Sequence, residues 1–142
     1  MAESTIIHIA GVVLRNVEGR YLLVQETRPD IHGLWGIPAG HQDEREELHQ
    51  TAIREAKEET GYTVELLSEE PFYEGNVKMH NHVFHAYLAQ VTGGTLRIQK
   101  GEILDAKWIT FSRILDMNSN GEIRDPVIMA IIQKAEDAYN RH

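Results

Sequence analysis

The segment from Glu47 to Thr60 constrains the fold of this chain more than any other. It is rich in Glu, Ala, Lys, Leu and Arg, and Gly61 follows where a glycine commonly ends a helix. The sequence therefore predicts a helix over residues 47–60. At about 100° per residue, Glu55, Glu58 and Glu59 fall within one arc of this helix, at the edge of its apolar stripe.

These three carboxylates repel one another and raise each other's pKa unless a cation offsets their charge. Arg54 can offset part of it, and divalent cations prefer clustered carboxylate oxygens. The alternative is a solvated helix face, which is the more common role of a run of charged residues. The helix alone leaves both interpretations open.

The wider spacing favours a metal site. Five residues separate Gly40 from Glu46, and seven more separate Glu46 from the run Arg54-Glu55-Ala56-Lys57-Glu58-Glu59-Thr60-Gly61-Tyr62. This pattern resembles the box of the MutT-like Nudix hydrolases. It departs from the usual box at two positions. Ala56 stands where a larger aliphatic residue is usual, and Tyr62 stands where an aliphatic residue is common. Neither position carries a metal-binding group.

The resemblance implies a site for magnesium, with manganese as a second suitable ion. Its ligands would be the box glutamates, the carbonyl of the loop glycine and a glutamate from a later loop, namely Glu55, Glu58, Glu59, Gly40 and Glu102. Glu122 is a weaker candidate for the later glutamate, and the alternative for Glu102 is an ordinary surface residue.

The chemistry that the resemblance implies is attack of water on phosphorus. Bound magnesium neutralises phosphate charge and lowers the pKa of bound water, which reconciles a net charge of −8 with a phosphate substrate. The general base is either Glu55 or Glu102. Arg54 would orient a neighbouring carboxylate, together with Glu46.

Substrate recognition is less constrained by the sequence. The stretch 34–41 resembles a branch of small bacterial Nudix phosphatases that act on nucleoside di- and triphosphates. The candidate substrate-binding residues are Arg28 for phosphate, Trp35 for stacking on a base, and Glu46. A core anchor is the alternative for Trp35. Further candidate phosphate contacts are Lys78, Arg97 and Lys100.

Three histidines lie close together in a predicted strand. His80 and His82 would share one face while His85 points the other way. Two histidines alone make a poor zinc site, so a polar strand face is favoured over a transition-metal site.

The remaining pattern predicts strands mixed with two main helices, the second over residues 126–139. Ile6–Leu14 and Tyr21–Gln25 are interpreted as a hairpin, and Gly93-Gly94 as a turn. The predicted fold class is α/β (α+β) with a mixed sheet, and the resemblance implies a Nudix-type α/β/α sandwich. The length of 142 residues fits a single domain over residues 1–142.

Composition excludes several other functions. The chain has no cysteine, and hence no disulfide or thiolate site. Its negative charge argues against binding of long nucleic acids. It lacks an apolar run of about 18 residues, and residues 1–5 do not resemble a secretory signal, so we expect a cytoplasmic location and no membrane partner.

The sequence thus predicts magnesium-dependent hydrolysis of a phosphoanhydride bond in a nucleoside di- or triphosphate, or in a related small organic pyrophosphate. The alternative is a non-catalytic Nudix domain that senses a nucleotide or binds a partner. Such domains usually lack a box carboxylate, and none is missing here. A homodimer is left open, because many members of the family are dimers.

Overall fold

The computed structural model describes residues 5–78 and 81–141. A short 3-10 turn at Pro29–Ile31 lies in the loop after the second strand. The strands and helices follow one another as β1 (Ile7–Leu14), β2 (Tyr21–Glu26), β3 (Trp35–Gly36), β4 (Ala39–His41), α1 (Leu48–Thr60), β5 (Tyr62–Leu66), β6 (Tyr73–Asn76), β7 (His82–Gly94), β8 (Ile103–Ile109), α2 (Phe111–Ser119) and α3 (Pro126–Tyr139).

Two β-sheets organise these elements. In the larger sheet the strand order is β4-β1-β7-β5, and β6 also pairs with β7. β1 runs parallel to β7, whereas the other pairs in this sheet are antiparallel, so the sheet is mixed, as predicted. The smaller sheet has the antiparallel order β3-β2-β8.

Side chains of β1 alternate between two hydrophobic cores. Ala10 and Val12 belong to the core that includes Ala52 of α1. Val13 belongs to the core that includes Ile131 of α3. Because successive side chains of a strand point to opposite faces, the two helices cover opposite sides of the larger sheet. The predicted α/β/α layering is confirmed.

The helix ends follow from local capping chemistry. Glu47 caps α1 through a reciprocal pair of hydrogen bonds with Gln50, and Gly61 ends it in the left-handed conformation, with φ of 81°. α3 begins at Pro126, and the side chain of Asp125 accepts an N–H of the first turn. Within the described ranges, none of the helices is long and apolar enough to span a membrane.

The predicted hairpin between β1 and β2 is wrong. These two strands belong to different sheets and share a single bridge, Arg15 to Tyr21. Both strands are flanked on each side by other partners, β4 and β7 for β1 and β3 and β8 for β2. The turn between them therefore carries the chain from one sheet to the other.

Gly93 and Gly94 do not form the predicted turn but the end of β7. They pair with Thr63 and Tyr62 at the start of β5. Gly94 has φ of 80°, and a Cβ on it would lie 2.4 Å from the carbonyl oxygen of Gly61. Glycine is therefore required by the close approach of two backbones rather than by a reversal of the chain.

Candidate active site

The three box glutamates occupy the C-terminal half of α1, next to β4. Glu55 and Glu59 line a large cleft, and their side chains are only 14% and 8% exposed, whereas Glu58 is 43% exposed. One carboxylate oxygen of Glu59 accepts the N–H of Ala39 at 3.0 Å. This bond ties the end of the helix to β4, directly beside the cleft.

Arg54 connects the carboxylates around it. Its Nε and Nη2 donate to the two oxygens of Glu46 at 2.8 and 3.0 Å, in the paired geometry that suits a guanidinium and a carboxylate. Its Nη1 donates to Glu55 at 2.8 Å and to Glu58 at 3.2 Å. Nη2 also donates to the carbonyl oxygen of His41 at 3.1 Å. One guanidinium thus positions two box glutamates against the loop before the helix.

The pKa values divide these carboxylates into two kinds. Hydrogen bonds from Arg54 lower the pKa of Glu46 to about 2, so this group is firmly ionised. Burial raises the pKa of Glu55, although Arg54 opposes the shift. Burial, reinforced by the nearby carboxylate of Glu26, raises the pKa of Glu59 well above its ordinary value. Glu55 and Glu59 therefore lie where added positive charge would be most stabilising.

Gly40 lies directly under one of these carboxylates. A Cβ built on it would be 2.1 Å from the carboxyl carbon of Glu55, and 2.3 and 2.4 Å from its oxygens. No side chain fits in this space, so glycine allows the carboxylate to lie against the backbone of β4. The loop and the helix are thereby brought together at one edge of the cleft.

The cleft has a volume of about 650 Å³ and mixes acidic, basic and apolar walls. Five of the predicted site residues line it, together with Lys78 from the wider set of phosphate contacts. These five are Arg28, Gly40, Glu55, Glu59 and Glu102. The other two predicted phosphate contacts, Arg97 and Lys100, do not line the cleft.

Glu102 lies in the loop between β7 and β8. The hydroxyl of Thr27 donates to the carbonyl oxygens of Gly101 and Glu102 at 3.1 and 2.9 Å, which joins this loop to the segment that carries Arg28. Glu122 lies elsewhere, at the wall of a second, smaller cavity, where its carboxylate is 3.9 Å from the guanidinium of Arg113. The structure thus places Glu102, and not Glu122, at the cleft.

Two predicted substrate-binding residues lie outside the cleft. Trp35 in β3 is 8% exposed, belongs to the core and borders the second cavity, of about 350 Å³, together with Trp108. This corresponds to the alternative of a core anchor. Glu46 is held by Arg54 and also accepts the hydroxyl of Thr51 at 2.6 Å. Its contacts are those of a residue that positions Arg54.

The two predicted histidines that the structure describes, His82 and His85, do not form a common site. His82 lines the cleft, and its ring centroid lies 5.9 Å from that of His41. His85 belongs to the other face of β7, where it contacts His8 at 2.8 Å and the carboxylate of Glu74. The predicted opposition of these two faces is confirmed, and His80 lies outside the described residues.

The sequence prediction missed five polar residues in the cleft wall: Glu26, Asp30, His41, Arg124 and Asp125. Glu26 ends β2, and Arg124 precedes α3. They form an ion pair at 2.7 Å although 98 residues separate them. The only local signal was the charge of Glu26 at the end of an apolar strand.

A divalent cation fits the box residues. Among residues 5–78 and 81–141, no three His, Asp or Glu side chains are already arranged around one point at metal-binding distance. However, Glu55 and Glu58 already share one cationic group, the Nη1 of Arg54. Gly40 leaves room for the Glu55 carboxylate beside its own backbone, and such oxygens are the ligands that hard cations prefer.

The chain is similar in sequence and in structure to known proteins. The model of the NUDIX domain matches residues 7–130. The chain belongs to the NUDIX family. Its similarity to solved Nudix structures extends over the whole fold: a Caenorhabditis elegans Ap4A hydrolase has a TM-score of 0.77 at 22% identity, covering 96% of this chain and 100% of that one.

Curated Nudix relatives are similar over most of this chain. The 8-oxo-dGDP phosphatase NUDT18 of Danio rerio is 30% identical over 109 residues, which is 75% of this chain and 33% of the relative. The NAD-capped RNA hydrolase NudC of Vibrio atlanticus is 32% identical over 119 residues, which is 82% of this chain and 42% of the relative. The aligned part is thus less than half of either relative.

Proposed function

We propose that this Nudix protein hydrolyses a phosphoanhydride bond in a nucleoside di- or triphosphate, or in a related small organic pyrophosphate, with magnesium as cofactor. The observation that carries the proposal is a pair of carboxylates, the buried Glu59 and the partly buried Glu55, at the wall of a cleft that Arg28 and Lys78 also line. Acidic and basic groups in one cleft suit a metal–diphosphate complex.

The metal ligands in this proposal are the box glutamates, the carbonyl of the loop glycine and a glutamate of the loop before β8, namely Glu55, Glu58, Glu59, Gly40 and Glu102. All of them except Glu58 line the cleft. Magnesium, or manganese in its place, would neutralise phosphate charge and lower the pKa of the attacking water. Glu58 is the most exposed of the three box glutamates, so it can turn toward an incoming ion at little cost.

The residues of the chain divide the other tasks. Arg28 and Lys78 bind the phosphates, since neither forms a salt bridge within the described ranges and both line the cleft. Arg54 holds Glu55 in place. The water is deprotonated by Glu55 or by Glu102, because both carboxylates line the cleft in which the substrate would lie.

The substrates to be examined first are nucleoside di- and triphosphates. The zebrafish relative is named for action on 8-oxo-dGDP, and a cleft of about 650 Å³ is large enough for a nucleotide. We also propose a cytoplasmic location, because the predicted substrates are nucleotides of the cell interior. We further propose that residues 1–142 form a single domain.

The proposal is tested by a hydrolysis screen over nucleotides and organic pyrophosphates, with magnesium and with manganese, and with identification of the products. Glu58→Gln is expected to lower turnover at least about a hundredfold with an unchanged melting temperature. Glu65→Gln, at an exposed position of β5, is the matched control and should retain full activity. Near-normal turnover of Glu58→Gln would remove this residue from the metal site. Tight binding of a nucleotide without turnover over the whole panel would favour a sensor domain.

A further inference from the structure

A buried ion pair crosses the floor of the cleft at some distance along the chain from the box. The Nη1 of Arg124 donates to Glu26 at 2.7 Å, and the two side chains are 12% and 8% exposed. Both residues line the cleft, as does Glu59. Neither belongs to the Nudix box, and the proposed hydrolysis assigns them no task.

The guanidinium of Arg124 is held in a fixed orientation. The N–H of Arg124 donates to the carbonyl oxygen of Trp35 at 2.9 Å. A Cβ on Gly36 would lie 2.6 Å from the Arg124 Nε, so the side chain lies against bare backbone. Its guanidinium carbon lies 5.9 Å from the centre of the Phe84 ring. These contacts and the ion pair with Glu26 fix the plane of the group before any ligand arrives.

Most donors of this guanidinium are unused. Nη1 bonds to Glu26, whereas Nε and Nη2 have no hydrogen-bond acceptor among residues 5–78 and 81–141. In the same part of the chain, the Nε of Arg15 is the sole fully buried side-chain nitrogen or oxygen without a partner. The free donors of Arg124 are therefore in contact with solvent, in a residue that lines the cleft.

The charge around Arg124 selects the kind of group that it can bind. Glu26 already compensates the guanidinium, and Glu59 places a second carboxyl group nearby. Arg28 and Lys78 line the same cleft and make no salt bridge with described residues, so phosphate is better bound there. Arg124 offers donors without net positive charge, which suits neutral acceptor atoms.

The neighbouring wall is apolar. The cleft is lined here by Phe84, whose ring lies near the guanidinium of Arg124, and by Val127 and Ile128, which follow Arg124 closely in the chain. A flat heteroaromatic ring fits such a wall, and a planar guanidinium forms paired hydrogen bonds with two adjacent ring acceptors, as it does with O6 and N7 of guanine. Adenine presents an amino group in place of O6 and cannot accept both bonds.

We propose that Arg124, oriented by Glu26, binds the base of the substrate and selects purines with a 6-oxo group over purines with a 6-amino group. This inference rests on the proposed function and names a determinant of specificity within the same cleft. Paired hydrogen bonds of this kind discriminate between bases by about fivefold to about 150-fold.

The test compares kcat/KM for guanosine, inosine and adenosine diphosphates with magnesium. Inosine isolates the 6-oxo group, because it lacks the 2-amino group of guanosine. The wild-type protein should prefer both 6-oxo substrates at least about fivefold. Arg124→Lys keeps the charge opposite Glu26 but loses the planar pair of donors, and should bring the ratio close to one. Arg113→Lys, at an exposed cation of the second cavity, is the matched control and should leave the ratio unchanged.

A purely structural role of Arg124 predicts another outcome, in which the lysine variant lowers kcat/KM equally for all three substrates. That outcome, or a wild-type protein with no preference for 6-oxo bases, would overturn the proposal. Calorimetric measurement of GMP and AMP binding tests the role of Arg124 independently of the proposed hydrolysis. If no diphosphate is hydrolysed but GMP binds more tightly than AMP, and Arg124→Lys removes the difference, the assignment of Arg124 stands and the hydrolase proposal falls.

Discussion

Replacing Gly40 with alanine should impair turnover far more than folding. The added Cβ would lie 2.1 Å from the carboxyl carbon of Glu55, whereas ordinary contacts begin at 3.4 Å. The carboxylate must therefore move by about 1 Å or more, and a displacement of that size costs about a hundredfold in rate when it misplaces a reacting group. The overpacking itself costs about 1–3 kcal/mol of stability, and the lower end applies because the Glu55 side chain can rotate.

The assay is kcat with the best substrate from the hydrolysis screen, alongside urea unfolding to measure the free energy of unfolding. Gly93→Ala is the matched control, because its Cβ would lie 3.8 Å from that of Thr63, which is an ordinary contact in the same sheet. This variant should keep wild-type turnover. A folded Gly40→Ala protein with wild-type kcat would refute the reasoning, because it would show that the position of the Glu55 carboxylate does not limit catalysis.

Three further changes probe the supports of the site and the fold. Glu46→Gln should lower kcat about tenfold, because it weakens the paired bonds that position Arg54; steady-state kinetics measures this. Tyr21→Phe removes a bond of 2.7 Å to the carboxylate of Glu136 and should cost about 1.5–3 kcal/mol in urea unfolding, with kcat unchanged. Burial lowers the pKa of His85, so its neutral form is preferred in the folded state. Its contribution to stability is complete above its unfolded pKa of about 6.5 and is lost as the pH falls toward the folded value. Between about pH 7 and about pH 5, the free energy of unfolding should therefore fall less for His85→Gln than for the wild type, as measured by urea unfolding at each pH. An equal fall would contradict the lowered pKa of His85.

The helices were predictable because their signals are local. The composition of residues 47–60 and the glycine that follows define α1 to within one residue of the structure. For α3, an acidic cap followed by Pro126 marks the first turn, and the predicted range 126–139 agrees with the structure. Helix phase alone then places Glu55 and Glu59 on a common side of α1.

Strand pairing was less predictable, because it depends on partners far away in the chain. β1 and β2 are both apolar and joined by a short turn, which is also the pattern of a hairpin. Each instead is flanked on both sides by other strands. A turn signal shows that the chain reverses direction but does not show which sheet the next strand joins.

The cleft wall was only partly predictable for the same reason. Glu102 was found because the resemblance to the Nudix box extends to a later glutamate. Glu26 and Arg124 carry no such signal: taken singly, they are the end of a strand and a cation before a helix. Their contact exists only after the smaller sheet and the loop before α3 have come together.

The central claim is that the box carboxylates hold a divalent cation at the edge of the cleft. The most direct measurement is the anomalous scattering of manganese in a crystal of the full chain with a non-hydrolysable nucleoside diphosphate analogue. We predict a peak coordinated by Glu55, Glu58 and Glu59, with the diphosphate of the analogue on its open side. A bound analogue with those carboxylates still engaged only by Arg54, and with manganese absent or located elsewhere, would contradict the account.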